Sequence, residues 1–156
     1  MLFWLHITSI GLFLGTTAGL ALFAVPAARA LGDPAAARRA LARTLRLYDP
    51  LAVALLGVIV MTGAFRVTSL KQSLGKDYFA VFGYHLAWKL GLAFLVVLAG
   101  TYVCFGVGHR LVRQEEWNEP VEKSRLEGML GRLSAGAWLT VVLTACTVAV
   151  ASSMGG

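Results

Sequence analysis

The sequence predicts an all-α integral membrane protein, a single domain over residues 1–156 folded as a four-helix bundle with both termini outside. Hydrophobic residues make up 58% of the chain and charged residues only 14%, which is far more apolar than a soluble domain. The apolar residues gather in four long runs, and 13 of the 14 Lys and Arg residues lie between these runs. A lipid bilayer suits such a chain. The net charge of +6 therefore indicates loops on an anionic membrane surface and no nucleic-acid partner.

Span positions follow from the rise of an α-helix, about 1.5 Å per residue, compared with about 30 Å of hydrocarbon. The predicted spans cover about residues 2–25, 50–65, 79–107 and 134–151. The segments at 26–49 and 108–133 are predicted to be cytoplasmic amphipathic loops. Asp33-Pro34 and Asp49-Pro50 are both typical of a helix start, because Asp caps a helix and Pro is tolerated in its first turn.

The orientation is predicted from the cations in the short loops, because cytoplasmic loops of membrane proteins are enriched in Lys and Arg. The first and third loops hold five cations each and the second holds three: Arg29, Arg38, Arg39, Arg43 and Arg46; Arg110, Arg113, Lys123, Arg125 and Arg132; and Arg66, Lys71 and Lys76. This ratio of ten to three places the first and third loops in the cytoplasm. It predicts a multi-pass protein of a bacterial-type inner (cytoplasmic) membrane.

Two histidines carry the candidate chemistry. His6 and His85 lie five and six residues inside spans that enter from the same side, so both are roughly 8 to 9 Å deep. Two imidazoles at one depth suit the axial positions of an iron porphyrin, and the pair predicts non-covalent haem b with His6 and His85 as metal ligands. The alternative is that each is an interfacial histidine bonded to backbone or water. Covalent c-type attachment is excluded, since the chain has no Cys-x-x-Cys-His motif.

Three further residues fit such a haem site. Arg66 ends the second span on the outer side, at the level where porphyrin propionates would emerge and its guanidinium could hold one, although it also suits a membrane-edge cation. Trp88 could pack on the ring or belong to an interfacial aromatic belt. Lys89 lies about 15 Å deep, where a lysine is costly, so it either interacts with a cofactor or quinone, loses its proton, or extends toward the surface.

Gly11, Gly15 and Gly19 recur every four residues in the first span and form a ridge of small residues. Such ridges let another helix approach closely in lipid. The ridge lies opposite His6 on the helix, so it predicts a packing contact, either within the chain or with another membrane subunit.

The residues His6, Thr62-Gly63 and Trp88-Lys89-Leu90, followed by an aliphatic run to Gly108-His109-Arg110, resemble a superfamily of small membrane proteins. That superfamily includes the CopD-type copper-resistance domain and the HemJ-type protoporphyrinogen oxidase. The resemblance covers about residues 5–110. It implies a helical bundle with b-type haem or metal chemistry in the membrane, with His6 and Lys89 at the family's polar positions. The chain lacks a Met-rich or Cys-rich loop, which disfavours copper import.

Three functions remain open. The first is a b-type cytochrome-like haem-binding protein or subunit that transfers electrons near the outer membrane face to a quinone or a redox protein. The second is a HemJ-like protoporphyrinogen oxidase. The third is a cofactor-free structural subunit of a larger membrane complex. The chain lacks the phosphate-binding glycine loop and the nucleophile elbow of soluble enzymes, so any catalysis would rest on a cofactor.

Overall fold

The structure, a computed structural model, describes residues 1–75, 78–117, 119–120 and 122–152, apart from the side chains at 70, 74, 78–82 and 85. All regular structure in these ranges is helical. Helix α1 covers Leu2–Ala30 and helix α2 covers Pro34–Leu74. Helix α3 comprises Tyr78–Thr101, a π-helical segment Tyr102–Gly108 and a final segment His109–Glu116. Helix α4 covers Lys123–Ser152. Each of the four is long and apolar enough to cross a membrane.

Helix α2 begins at the predicted start, Asp33-Pro34, but no second helix begins at Asp49-Pro50. Asp33 caps it, with carboxylate oxygens that accept hydrogen bonds from the amides of Ala35 and Ala36 at 3.1 and 3.2 Å. The predicted helix start at Asp49-Pro50 is wrong, because α2 continues through Pro50 as one helix of 41 residues.

The continuity of α2 has a physical reason. Buried residues recur at helical spacing on both sides of Pro50, and this stripe packs against the bundle core along the whole helix. The stripe comprises Leu41, Leu45, Tyr48, Ala52, Leu55 and Leu56. Breaking the helix at Pro50 would expose half of it, which outweighs the one hydrogen bond that proline removes.

The helices form an antiparallel ring in the order α1, α2, α3, α4, in which α1 packs on α2 and α4, and α3 packs on α4 and α2. Positions early in one helix accordingly meet positions late in the next, as for Arg38 of α2 and Glu115 of α3, which pair at 2.6 Å. We call the end that holds Met1 and Ser152 the terminal end and the opposite end the basic end. The predicted helical bundle is confirmed.

The middle of the bundle is closed by apolar packing. Phe13 and Val103 are fully buried, and Phe13 reaches across to within 3.4 Å of the position that a Cβ on Gly100 would take. Large apolar side chains cover the outer surface of the same segments, among them Phe94 at 62% and Phe105 at 60% exposure. An apolar exterior around an apolar core is the pattern of helices that lie in lipid, and the four candidate spans indicate a multi-pass membrane protein.

The basic end has a core and ion pairs of its own. Arg38 of α2, which is buried, donates from Nε to Glu115 of α3 at 2.6 Å and from a terminal nitrogen to the Glu119 carbonyl at 2.7 Å. Arg39 approaches the same carboxylate at 3.6 Å, and Arg46 pairs with Glu116 at 3.3 Å. Thus the first of the two segments predicted as a surface loop is helical and packs against the end of α3.

Candidate functional site

The terminal end of the bundle brings a histidine of α1 against α2. His6 Nδ1 lies 2.7 Å from the hydroxyl oxygen of Thr62. The ring also packs beside Gly63, where an added Cβ would lie 3.5 Å from His6 Cε1, an ordinary van der Waals distance. Thr62 is buried at 4% exposure and His6 is partly buried. The imidazole is therefore held in one orientation by α2.

The Thr62 hydroxyl links His6 to the backbone of α2. Besides His6 Nδ1, its oxygen contacts the Val58 carbonyl at 2.6 Å and the Ile59 carbonyl at 3.2 Å, and the hydroxyl has a single hydrogen to donate. When that hydrogen is donated to Val58, Nδ1 of His6 is the protonated nitrogen and Nε2 keeps its lone pair. A histidine whose Nδ1–H is bound by a neighbouring oxygen is the usual form of a metal-ligating imidazole.

Two cations surround this imidazole. The Arg66 guanidinium lies 5.0 Å above the centre of the Phe3 ring, one helical turn beyond Thr62. Both Arg66 and Lys89 are within electrostatic range of His6, and Lys89 is also within range of Arg66. Every described Asp and Glu lies in the half of the bundle toward the basic end, either in a helix or in a connection between helices. The described part of the terminal end therefore has excess positive charge and suits an anionic ligand.

The other predicted site residues stand apart from this cluster or outside the description. Trp88 is 57% exposed and packs edge-on against Tyr84, with ring centres 6.4 Å apart. His85 belongs to α3, but its side chain lies outside the described residues, so the predicted pairing with His6 stays a prediction. The glycine ridge is open, since a Cβ added at Gly11, Gly15 or Gly19 would meet nothing within 4 Å.

Within the described ranges, no three His, Cys, Asp or Glu side chains converge to hold a bare metal ion. Haem does not need three such side chains, because its iron already has four porphyrin nitrogens and takes one or two ligands from the protein. His6 with a free Nε2 and two adjacent cations fits the needs of one axial position and of two propionates.

Comparisons with known proteins found no match, whether with models of protein families, with curated proteins or with solved structures. The description of the site consequently rests on the residues of this chain alone.

Sequence reasoning missed a second polar position, at the basic end. Asp49 packs against α3, where an added Cβ on Gly108 would lie 2.9 Å from both of its carboxylate oxygens. Its Oδ1 is buried and has no hydrogen-bond partner among the residues that the structure describes. The Cys104 thiol lies beside the same carboxylate. Because Asp49 precedes a proline, the sequence suggested a helix cap, and no local pattern indicated a contact with α3.

Proposed function

We propose that this protein is a membrane b-type cytochrome-like haem-binding protein or subunit. The observation that carries the proposal is the contact of His6 Nδ1 with the Thr62 hydroxyl at 2.7 Å, because an imidazole that donates from Nδ1 to Thr62 has Nε2 free to ligate iron. His85 of α3 is the proposed second ligand, as its depth in the sequence suggests. The haem would be bound without a covalent link, and its iron would supply one-electron chemistry.

Charge supports the same proposal. Haem has two propionates, and Arg66 can hold a carboxylate through two parallel hydrogen bonds. Lys89 is a second cation within range of Arg66. A charged lysine inside a membrane bundle needs compensation, and an anionic cofactor would supply it. Residues Arg66 and Lys89 are thus proposed to anchor the propionates or to tune the iron electrostatically.

The cation distribution further supports an orientation in which the basic end faces the cytoplasm of a bacterial-type inner membrane and both termini face outward. His6 would then lie near the outer membrane face. Electrons would pass there between haem and a quinone or a redox protein.

A spectrum of the protein purified after expression with ample haem tests the proposal. We expect a Soret band and a low-spin reduced-minus-oxidised spectrum. His85→Ala should leave high-spin iron or abolish binding, because one strong-field ligand is lost. Lys89→Met should retain haem with a shifted potential. Wild-type protein without a Soret band, or a spectrum that survives His85→Ala and is lost in Lys89→Met, would overturn the bis-histidine assignment.

Thr62 and Thr68 form a matched pair for the same test. Both lie on α2 and donate to the carbonyl four residues earlier, but only Thr62 contacts His6. Thr62→Val should reduce haem affinity about tenfold or more, the size expected when the hydrogen-bond partner of a metal-ligating histidine is removed. Thr68→Val should have wild-type affinity, and a haem titration of the two purified variants measures the difference. Equal affinities would mean that Thr62 does not orient a ligand.

A HemJ-like oxidase acting on protoporphyrinogen is a second candidate. It is favoured by the convergence of His6, Thr62 and Lys89, the positions that carry the family resemblance, at one end of the bundle. The same cations could bind the two carboxylates of the porphyrin precursor. Turnover of protoporphyrinogen by the purified protein distinguishes this activity from electron transfer alone.

A cofactor-free structural subunit is favoured by the open glycine ridge. Gly15→Leu should then disrupt assembly with a second copy or another subunit, because the larger side chain holds the helices apart. The same variant should leave the fold of the single chain intact, since a Cβ added at Gly15 meets no described atom within 4 Å. Leu14→Ala, beside the ridge, is the control. Native gel migration of membrane extracts measures assembly, and equal migration of the two variants would show that the ridge marks no contact.

A further inference from the structure

An apolar groove of about 370 Å³ runs between α2 and α3 in the middle of the bundle. Val53, Gly57 and Val60 line it from α2, and Gly100, Cys104 and Phe105 line it from α3. Its volume is within the range of small-molecule sites, which are mostly apolar with a few polar groups that orient the ligand. We call it the α2–α3 groove.

Asp49 lies on α2 beyond the residues that line the groove, on the side of the basic end and beside Cys104 of the lining. On α2 it precedes Val53 by four residues and Val60 by eleven, a spacing that places all three on one face of the helix. Cys104 lines the groove and is also the thiol beside the Asp49 carboxylate. The lack of a side chain at Gly108 lets the carboxylate approach α3. The groove is therefore lined by apolar groups along its length and has the Asp49 carboxyl group next to its lining, on the side of the basic end.

One oxygen of the Asp49 carboxylate lacks a hydrogen-bond donor. The Cys104 thiol is within hydrogen-bonding range of the carboxylate, but Oδ1 is buried and accepts no hydrogen bond within the described part of the chain, and such an oxygen is unfavourable unless a partner supplies a donor. Asp49 as a whole is only partly buried, so a ligand at this end of the groove can approach its carboxyl group. A phosphate headgroup would be repelled there, whereas a hydroxyl group would donate.

We infer that the α2–α3 groove binds an isoprenoid quinol, with a ring hydroxyl donating to Asp49 and the isoprenoid chain lying along the groove toward Val60. Phe105 lines the same end of the groove as Cys104, is 60% exposed and offers an aromatic surface to a quinol ring. Asp49 is separated from Thr62 by thirteen residues of α2, which is about 20 Å. The quinol site is therefore distinct from the proposed haem site and does not depend on it.

The test compares ligands that differ only in the donor. A short-chain isoprenoid quinol and its dimethyl ether are titrated into the purified full-length protein under anaerobic conditions by calorimetry. We expect the quinol to bind about tenfold more tightly or better, as for a hydrogen bond to a charged group. Asp49→Leu should remove the difference between the two ligands. Asp49→Asn, which keeps an acceptor oxygen, should retain most of it.

Two glycine variants test the position of the chain. A Cβ at either Gly57 or Gly91 would meet nothing within 4 Å, so both sites accept a side chain, but only Gly57 lines the groove. Gly57→Leu should weaken binding of both ligands at least tenfold, and Gly91→Leu should leave it unchanged. Equal affinity of wild-type protein for quinol and ether would overturn the inference. Displacement of the quinol by equimolar phosphatidylethanolamine, or quinol binding unaffected by Gly57→Leu, would do the same.

Discussion

At the scale of single residues, two hydrogen-bonded positions decide how the ends of the bundle are built. At the terminal end, the Thr62 hydroxyl contacts both the Val58 carbonyl of its own helix and His6 Nδ1. At the basic end, Arg38 is buried and divides its donors between the Glu115 carboxylate and the Glu119 carbonyl. The first contact orients the proposed ligand His6, and the second joins α2 to the segment that follows α3.

Arg38→Ala should lower the free energy of unfolding by about 3 to 5 kcal/mol, because it leaves Glu115 without the buried partner of its charge. The Arg38 side chain is 6% exposed and that of Glu115 is 19% exposed. Arg46→Ala is the control, since its pair with Glu116 is about half exposed on both sides and should contribute about 1 kcal/mol or less. Denaturant unfolding in detergent micelles compares the two, and equal losses would show that Arg38 is not a buried ion-pair partner.

At the scale of the elements, the two π-helical segments of the described chain lie beside a proline and at close packing contacts. The one in α1, Leu20–Ala24, comes just before Pro26, whose missing amide hydrogen disturbs the regular hydrogen-bond ladder. The one in α3, Tyr102–Gly108, places Gly108 against Asp49 and the Tyr102 and Val103 side chains against Gly136 of α4. Glycines make these close approaches possible, which ties the π-helical segment to the packing around it.

Gly108→Ala should destabilise the protein by about 1 to 3 kcal/mol, as overpacking commonly does. The added methyl group would lie 2.9 Å from both Asp49 oxygens and 3.0 Å from the Val103 carbonyl. Gly91→Ala on the same helix meets nothing within 4 Å and should leave stability unchanged or raise it by up to about 1 kcal/mol. Thermal unfolding followed by circular dichroism measures both changes. A Gly108→Ala protein as stable as wild type would show that α3 is not held against Asp49.

The elements also show what could be predicted from the sequence. Hydropathy predicted four helices because the cost of burying polar groups in lipid is large and depends on composition alone. The cap at Asp33 was predicted because it is a local interaction. The passage of α2 through Pro50 and the π-helical segments were missed, since tertiary packing decides them. The depth of His6 could be estimated from its position, but its partner Thr62, fifty-six residues away, depends on how two helices rotate against each other.

At the scale of the whole molecule, charge and polarity are distributed unevenly along the bundle. The ion pairs that involve Glu115 and Glu116 lie at the basic end, while the described part of the terminal end combines His6, Arg66 and Lys89. An apolar middle separates the two. This uneven distribution of charge would favour one orientation of the protein in the membrane over the other.

Site-directed labelling tests the proposed orientation. In a variant with Cys104 and Cys146 replaced by serine, a cysteine at position 72 should react with a membrane-impermeant reagent from outside. A cysteine at position 36 should react only after permeabilisation, because the cation-rich side is retained in the cytoplasm. Intact cells and permeabilised cells are compared by gel shift. The reverse accessibility would move the proposed haem to the inner membrane face.

Helix α2 gives the bundle a mechanical property. It is unbroken from Pro34 to Leu74, and the 28 residues from Arg38 to Arg66 span about 42 Å. One continuous helix therefore carries the contacts of both ends of the bundle. A tilt of a few degrees about the apolar core that moves Arg38 also moves Arg66 and the Thr62 hydroxyl by ångströms. Motions of the two ends are therefore coupled through α2.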